Sequence, residues 1–289
     1  MIVVTGATGN IGRTLVRLLV EAGEQVTAVS RHITPADLPQ PVGGGASPAR
    51  AVAADLADPD SLRPALESAD ALFLLLTGAL AATGDTVRHA VHAAKAAGVR
   101  RIVLVSSQSA GTRPDSGGHG RRALEDENQV RESGLEWTIL RPGNFATNTL
   151  AWAESVRNGR TVFAPFGDVG LPAVDPDDIA AVAAAALREP GHHGRTYVLT
   201  GPEPITPRQM AAAIGEALGE RVTYQELTRE QARERMLTFM PAPIVEGTLN
   251  ILGEPTADER RVSPDVAQVL GRTPGTYAAW AHRNAPAFR

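Results

Sequence analysis

Cysteine is absent from the 289 residues, which excludes disulfide frameworks, thiolate catalysis, zinc fingers and iron–sulfur clusters and suits a reducing cytoplasm. Lysine is nearly absent. Of 28 basic residues only Lys95 is a lysine and 27 are arginines, so any chemistry that needs an ammonium must use Lys95. Aromatic residues make up 4%, too few for the stacking platforms that bind single-stranded nucleic acid. A basic excess is missing as well: the net charge is −4, and basic runs stop at pairs such as Arg100-Arg101 and Arg121-Arg122. No nucleic-acid partner is therefore expected. Apolar stretches such as Ala71 to Leu76 fall far short of the ~20 residues of a spanning helix. The opening Met1-Ile2-Val3-Val4-Thr5 is too short for a signal peptide. The expectation is a cytoplasmic protein with no membrane partner.

What is present is a globular composition, 43% hydrophobic and 21% charged, in a chain long enough for one large domain or a domain with a smaller lobe. Short apolar runs alternate with helical patterns. The expected strands are Ile2 to Thr5, Gln25 to Ser30, Ala51 to Ala54, Ala71 to Leu76, Arg101 to Ser106, Trp137 to Leu140 and Thr196 to Leu199. Helices are expected over Gly12 to Ala22, Ser61 to Ser68, Thr86 to Ala97, Arg121 to Ser133, Asp175 to Leu187, Arg208 to Leu218 and Thr276 to His282. This rhythm predicts an α/β fold, a doubly wound parallel Rossmann sheet whose carboxyl edge carries a ligand crevice. A Pro/Gly-rich piece, Thr34 to Ala49, reads as a surface insertion, and Arg141 to Leu171 reads as loop-rich. The boundaries expected are a Rossmann domain over residues 1–200, with 141–171 contributing to a substrate pocket, and a small, mainly helical lobe over 201–289.

The sharpest motif is Thr5-Gly6-Ala7-Thr8-Gly9-Asn10-Ile11-Gly12-Arg13, a GxxGxxG loop directly after the first strand and opening the first helix. Glycines suit it because the turn is tight and the backbone must approach a pyrophosphate closely. Gly6, Thr8, Gly9, Asn10, Ile11 and Gly12 are the expected cofactor contacts there. An NAD site would place an acid at the end of the second strand to hold the ribose 2′-hydroxyl. Here stand Ser30 and Arg31, which can hold a 2′-phosphate, so NADPH is expected ahead of NADH. Asp55-Leu56 either touches the adenine or makes an ordinary turn, and Thr77-Gly78 would run towards the nicotinamide end. After the sixth strand, the Pro142-Gly143 turn would direct Asn144 at that end, and Phe145, Asn148 and Trp152 would line a pocket for a flat apolar ligand. Ser107 and Gln108 could hydrogen-bond a substrate carbonyl. His119 is either a general acid or a mobile loop histidine. No metal is expected, because His192-His193 sits between glycines with no acid triplet nearby. Asp175, Asp177 and Asp178 read as helix-capping acids, and Glu125-Asp126-Glu127 as a solvated helix face.

The loop TGATGNIGR, the segment AAKAAGVRRIVLVSS, SGLEWTILRPGNFATN and DIAAVAAAALREPGHHGRTYVLTGPEPIT together resemble the NmrA-like group of atypical short-chain dehydrogenases/reductases. The resemblance spans residues 1 to about 225. It implies either an NAD(P)H-dependent quinone or ketone reductase, aromatic polyketide-tailoring enzymes included, or a non-catalytic dinucleotide-sensing regulator. The wider superfamily uses a Tyr-x-x-x-Lys pair, in which the ammonium helps the tyrosine exchange a proton with the substrate. Four residues before Lys95 stands Val91, so the chain has no such pair. The resemblance places His119 and Ala123 where Tyr and Lys would stand and Gln108 at the usual Ser/Thr. Three readings follow: a reductase of a quinone or aromatic ketone, whose oxyanion is a weak base that water, His119 or its own hydroxyl can protonate; a binding-only sensor; and an isomerase or epimerase, which also wants the missing tyrosine.

Overall fold

The computed structural model describes residues 1–39, 49–58, 60–76, 85–116 and 119–289. Among these residues the chain forms a seven-stranded, all-parallel sheet from β1 (Ile2–Thr5), β2 (Val26–Ser30), β3 (Ala49–Ala53), β4 (Ala71–Leu75), β5 (Arg101–Val105), β6 (Glu136–Pro142) and β8 (Arg195–Leu199), in the order β3-β2-β1-β4-β5-β6-β8. A two-stranded parallel sheet pairs β7 (Thr161–Ala164) with β9 (Thr223–Glu226). The helices are α1 (Asn10–Glu21), α2 (Arg63–Leu66), α3 (Thr86–Ala96), α4 (Ser109–Thr112), α5 (His119–Arg131), α6 (Ala153–Gly159), α7 (Pro176–Arg188), α8 (Pro207–Leu218), α9 (Arg229–Leu237), α10 (Ala242–Gly253), α11 (Ala257–Arg260), α12 (Asp265–Leu270) and α13 (Tyr277–Asn284). None is long and apolar enough to cross a membrane, among the described residues.

The strands run apolar throughout because both faces are covered. Alternate residues serve opposite cores: Phe73 joins Ile11, Leu15 and Leu19 of α1 and Ile179 of α7, whereas Leu72 and Leu74 join Val87, Val91 and Ala94 of α3 and Val130 of α5. The Ala-rich α7 is buried over nearly its whole length, since small side chains let it lie against both α1 and the sheet. Asp175 caps it, accepting from the Asp177 N–H, as the sequence suggests. The outer edge of β8 is covered by Asp265 at the start of α12, whose Oδ2 accepts from the Val198 N–H at 2.7 Å, so this edge does not offer its donor to another strand.

Three expectations change. The third strand is Ala49–Ala53 rather than Ala51–Ala54. The second helix shrinks to four residues, with Pro64 in its first turn and Ser68 in a left-handed conformation just beyond it. The stretch read as loop-rich holds a 3-10 helix (Ala146–Trp152), α6 and β7, while Tyr224, inside the lobe expected to be mainly helical, lies in β9. Strands of four residues with half-exposed, polar-rich sequences carry little periodicity, and their partners lie about sixty residues apart. Residues of 146–173 share one apolar cluster with Met210, Ile214, Tyr277, Trp280 and Phe288.

Candidate active site

At the carboxyl edge the strand order reverses between β1 and β4, which opens a crevice there. Thr5 spans this point: its hydroxyl donates to Phe73 O at 3.0 Å and accepts from Leu75 N at 2.9 Å. The glycine loop then turns tightly, with Gly6 left-handed at φ 65° and Gly9 N–H donating to Gly6 O at 2.9 Å. Helix α1 starts with no acid in its first turn and no side-chain cap, so its first N–H groups remain available to an anion. Thr8 and Ser30 share a hydroxyl hydrogen bond of 2.9 Å, bringing the end of β2 to the loop. Arg31 is exposed beside them, with no carboxylate partner among the described residues. The cradle fits a dinucleotide: a Cβ at Gly12 would stand 2.1 Å from Gly6 O, so the helix closes onto the loop with no room for a side chain between them, which brings its first N–H groups close to the loop. A polar cleft of about 260 Å³ continues from Thr8, Gly9, Asn10 and Arg13 to Asp175 and Arg283.

Beside this cleft lies a larger, mainly apolar cavity of about 770 Å³. Ser107, Gln108, Pro142, Asn144, Phe145, Asn148 and Trp152 all line it, so the structure brings together the expected carbonyl-binding residues and the pocket residues. Thr147 lines both the cleft and the cavity and marks where the two meet. Gln108 is buried; its backbone N–H donates to Pro142 O at 3.0 Å and its Nε2 to Asp258 O at 3.1 Å. A Cβ at Gly143 would sit 2.9 Å from its Oε1, so the glycine of the Pro-Gly turn makes room for this amide. The Ser107 hydroxyl accepts from Ser109 N–H at 3.2 Å, a local cap that leaves it at the cavity wall. Asn144 Oδ1 accepts from Asn148 Nδ2 at 3.0 Å.

Asp55 Oδ1 accepts from Ala57 N–H at 3.0 Å on the surface, an ordinary Asx turn, and Leu56 packs against a core cluster. Thr77 and Gly78 lie outside the described residues. His119 opens α5, but its side chain also lies outside them. His192 and His193 engage Tyr197 and the Trp137 N–H, and no metal-binding cluster occurs among the described residues.

The solvated reading of Glu125-Asp126-Glu127 is corrected. Glu127 is fully buried, where it accepts from Ser106 Oγ (2.6 Å), Arg141 Nε (2.8 Å) and Nη2 (2.6 Å), and Arg131 Nη2 (2.7 Å). Burial pushes its pKa up, but the hydrogen bonds from Arg141, Ser106 and Arg131 outweigh it and hold the carboxyl below its ordinary value. Glu127 thereby locks the ends of β5 and β6, the strands that deliver Gln108 and Asn144. Burial raises Asp126 to about 6 despite its ion pair with Arg122.

None of the three tyrosines lines the cavity. Tyr277 donates to Thr149 and Tyr224 to Ala164 O, and burial raises both their pKa values, Tyr224 to about 12. Lys95 is exposed in the last turn of α3. A crossover helix runs back from the carboxyl edge, so its end lies at the opposite rim of the sheet. The ordinary Tyr/Lys relay is thus absent in space as well as in sequence. Unforeseen in the sequence were Arg235, Met236, Phe239 and Met240, which with Phe163 of the expected 141–171 stretch form the far wall of the cavity. Three of the four methionines, Met210, Met236 and Met240, line it, a signal open to a reader who asks where so rare a residue clusters.

The model of the family described as NAD(P)H-binding matches residues 6–190. The chain belongs to this family. It is 36% identical over 290 residues to the (4-alkanoyl-5-oxo-2,5-dihydrofuran-3-yl)methyl phosphate reductase of Streptomyces griseus, covering 100% of this chain and 99% of that one. It is 35% identical over 292 residues to the NAD(P)H azoreductase of Xenophilus azovorans, with 100% and 99% covered. The NADPH complex of the NADPH-dependent quinone oxidoreductase QOR2 from Escherichia coli superposes with a TM-score of 0.79 at 27% identity, covering 98% of this chain and 99% of that one. This member of the family is an NAD(P)H-dependent oxidoreductase.

Proposed function

We propose that the protein uses NADPH to reduce a quinone or aromatic ketone held in the apolar cavity. The observation that carries this reading is the cavity itself: about 770 Å³ of mainly apolar space, meeting the cofactor cleft at Thr147 and containing neither tyrosine nor lysine. A binding-only sensor would need the cleft alone. Relatives named for an azo compound, a quinone and a furanone all fit acceptors of conjugated, electron-poor character.

Gly6, Gly9, Asn10 and Gly12 would hold the pyrophosphate, Ser30 and Arg31 the 2′-phosphate, and Pro142 and Asn144 the nicotinamide end. Bound NADPH supplies two electrons as a hydride. The chain's own part is alignment and exclusion of water, which alone can supply about 7–11 kcal/mol. Phe145 and Trp152 flank the flat body, and Ser107 and Gln108 face the oxygen that gains charge. A quinone then takes one hydride and one proton to become a hydroquinone, and its oxyanion is so weak a base that water, His119 or the substrate's own hydroxyl can supply the proton.

The test is NADPH consumption with a panel of quinones and polycyclic ketones beside an NADPH-binding titration. Turnover with quinones is expected, and tight binding without turnover across the panel would establish the sensor instead. In the same assay, loss of rate in His119→Ala assigns the proton to that residue, and an unchanged rate assigns it to water or substrate. For cofactor choice, Arg31→Ala should lower the preference for NADPH over NADH about 10- to 100-fold, the worth of one charge-assisted contact. A preference that survives the substitution, measured as the ratio of the two kcat/KM values, refutes the role given to Arg31.

A further inference from the structure

Helix α9 carries three arginines, and they divide by face. Arg229 donates to Asn250 Oδ1 at 2.7 Å and pairs with Glu246 at 3.5 Å, while Arg233 pairs with the same Glu246 at 2.6 Å. Both are engaged by α10. Two residues on from Arg233 the helix has turned by about 200°, so Arg235 points away from α10 and into the rim of the cavity. Its guanidinium lies over the Phe163 ring, 5.0 Å from the centroid, and no carboxylate among the described residues pairs with it. A guanidinium stacked on an aromatic face is held in one plane while its fork of donors stays open.

The rest of the lining makes this charge conspicuous. Among the described residues the one carboxylate that lines the cavity, Glu259, is 3% exposed and already saturated. It accepts from Arg113 Nε and Nη2 at 2.7 and 2.8 Å, from Thr112 Oγ1 at 2.9 Å and from Thr256 N–H at 2.8 Å. Around Arg235 stand Met236, Phe239, Met240 and Ile244, with Phe239 65% exposed at the mouth. The cavity is therefore an apolar chamber with, among the described residues, a single uncompensated cation at its rim, while the polar reacting end, Gln108 and Asn144, lies on the Rossmann side.

The geometry points to an amphipathic acceptor: we propose that Arg235 is a specificity-determining residue that grips an oxyanion (a carboxylate, sulfonate or phosphate monoester) on the substrate's tail, so that the apolar body fills the chamber. This deepens the reductase reading and takes its chemistry from it, but the anion site is testable by binding alone.

Two fluorescent probes share one aromatic frame and differ in a sulfonate: 1-anilinonaphthalene-8-sulfonate and N-phenyl-1-naphthylamine. Each is titrated into the protein saturated with NADP+, so that the cofactor crevice is filled. Arg235→Met keeps an unbranched side chain on Phe163 without the charge. It should weaken the sulfonate probe about 10-fold more than the neutral one, and Arg235→Lys should recover part of that difference. Equal weakening of both probes, or no weakening of the sulfonate, overturns the proposal. In turnover, the KM for 1,2-naphthoquinone-4-sulfonate relative to that for 1,2-naphthoquinone should rise about 10-fold in Arg235→Met. If neither quinone is reduced while the probe difference holds, the quinone reading falls and the anion site stands.

Discussion

Gly12→Ala should abolish NADPH binding, lowering affinity at least ~100-fold, because the alanine methyl has no place to go. The added Cβ would lie 2.1 Å from Gly6 O, 2.7 Å from Gly6 C and 2.8 Å from Ala7 Cα. All three are backbone atoms of a loop pinned elsewhere, by Ala7 N–H to Val29 O at 3.0 Å. Helix α1 must back away from the loop, and its first N–H groups leave the positions at which they would meet the pyrophosphate. Gly9→Ala supplies a graded control: its Cβ would meet Gly6 O at 3.2 Å and nothing else, so a smaller loss is expected. NADPH fluorescence titration, with thermal unfolding to monitor folding, reads both. Near wild-type affinity in a folded Gly12→Ala protein would show that the cofactor does not use this loop.

Glu127→Ala should cost about 3–5 kcal/mol of stability, the range for removing one partner from a buried ion pair. Arg141 Nε and Nη2 and Arg131 Nη2 donate to this carboxylate, and the Arg141 and Arg131 side chains are only 18% and 28% exposed. Without Glu127 the two guanidiniums face each other in a confined space, and Ser106 loses its acceptor. Glu127→Gln keeps the shape and should lose less. The pH dependence follows from the depressed pKa of Glu127: its stabilisation is present above the ordinary value of 4.5 and is lost as pH falls through the lower, folded-state value. Asp126 acts with the opposite sign. Raised to about 6 from 3.8, it makes the fold progressively less stable as pH rises between those values. Denaturant unfolding of wild type and Glu127→Gln between pH 3 and 7 checks this: the acid-side loss should be present in wild type and diminished in the variant. A variant as stable as wild type at pH 7 would contradict the buried network.

The parts legible in the sequence are those whose evidence is local. Ile2–Thr5, Ala71–Leu75 and Arg101–Val105 are unbroken apolar runs because both faces of the sheet are covered, and the glycine loop announces itself because tight turns and close backbone approach admit few other residues. Phe145 and Trp152 reach the cavity as expected, because the turn after β6 can only deliver them to the carboxyl edge. What escaped was assembled at long range. Glu127 reads as one acid in a charged run until Ser106 and Arg141, 21 and 14 residues away, converge on it. The far wall of the cavity draws Phe163 together with Met236 and Met240, more than seventy positions along the chain, and no local period encodes that meeting. Asp55, open in the sequence between an adenine contact and a turn, accepts from the Ala57 N–H in an Asx turn, since a short side chain that follows a strand serves either purpose equally well.

The reductase reading rests on a cofactor cleft and an apolar cavity that meet without a tyrosine or a lysine. Rapid mixing tests this most directly. Protein carrying one equivalent of NADPH is mixed with an excess of a neutral quinone, and the absorbance of the reduced cofactor is followed through a single turnover. The expected result is an exponential loss of that absorbance, one hydroquinone formed per NADPH consumed, in a wild-type chain whose only lysine lies at the far rim of the sheet. Absorbance that stays constant while NADPH remains bound, across every quinone and aromatic ketone tried, would contradict it.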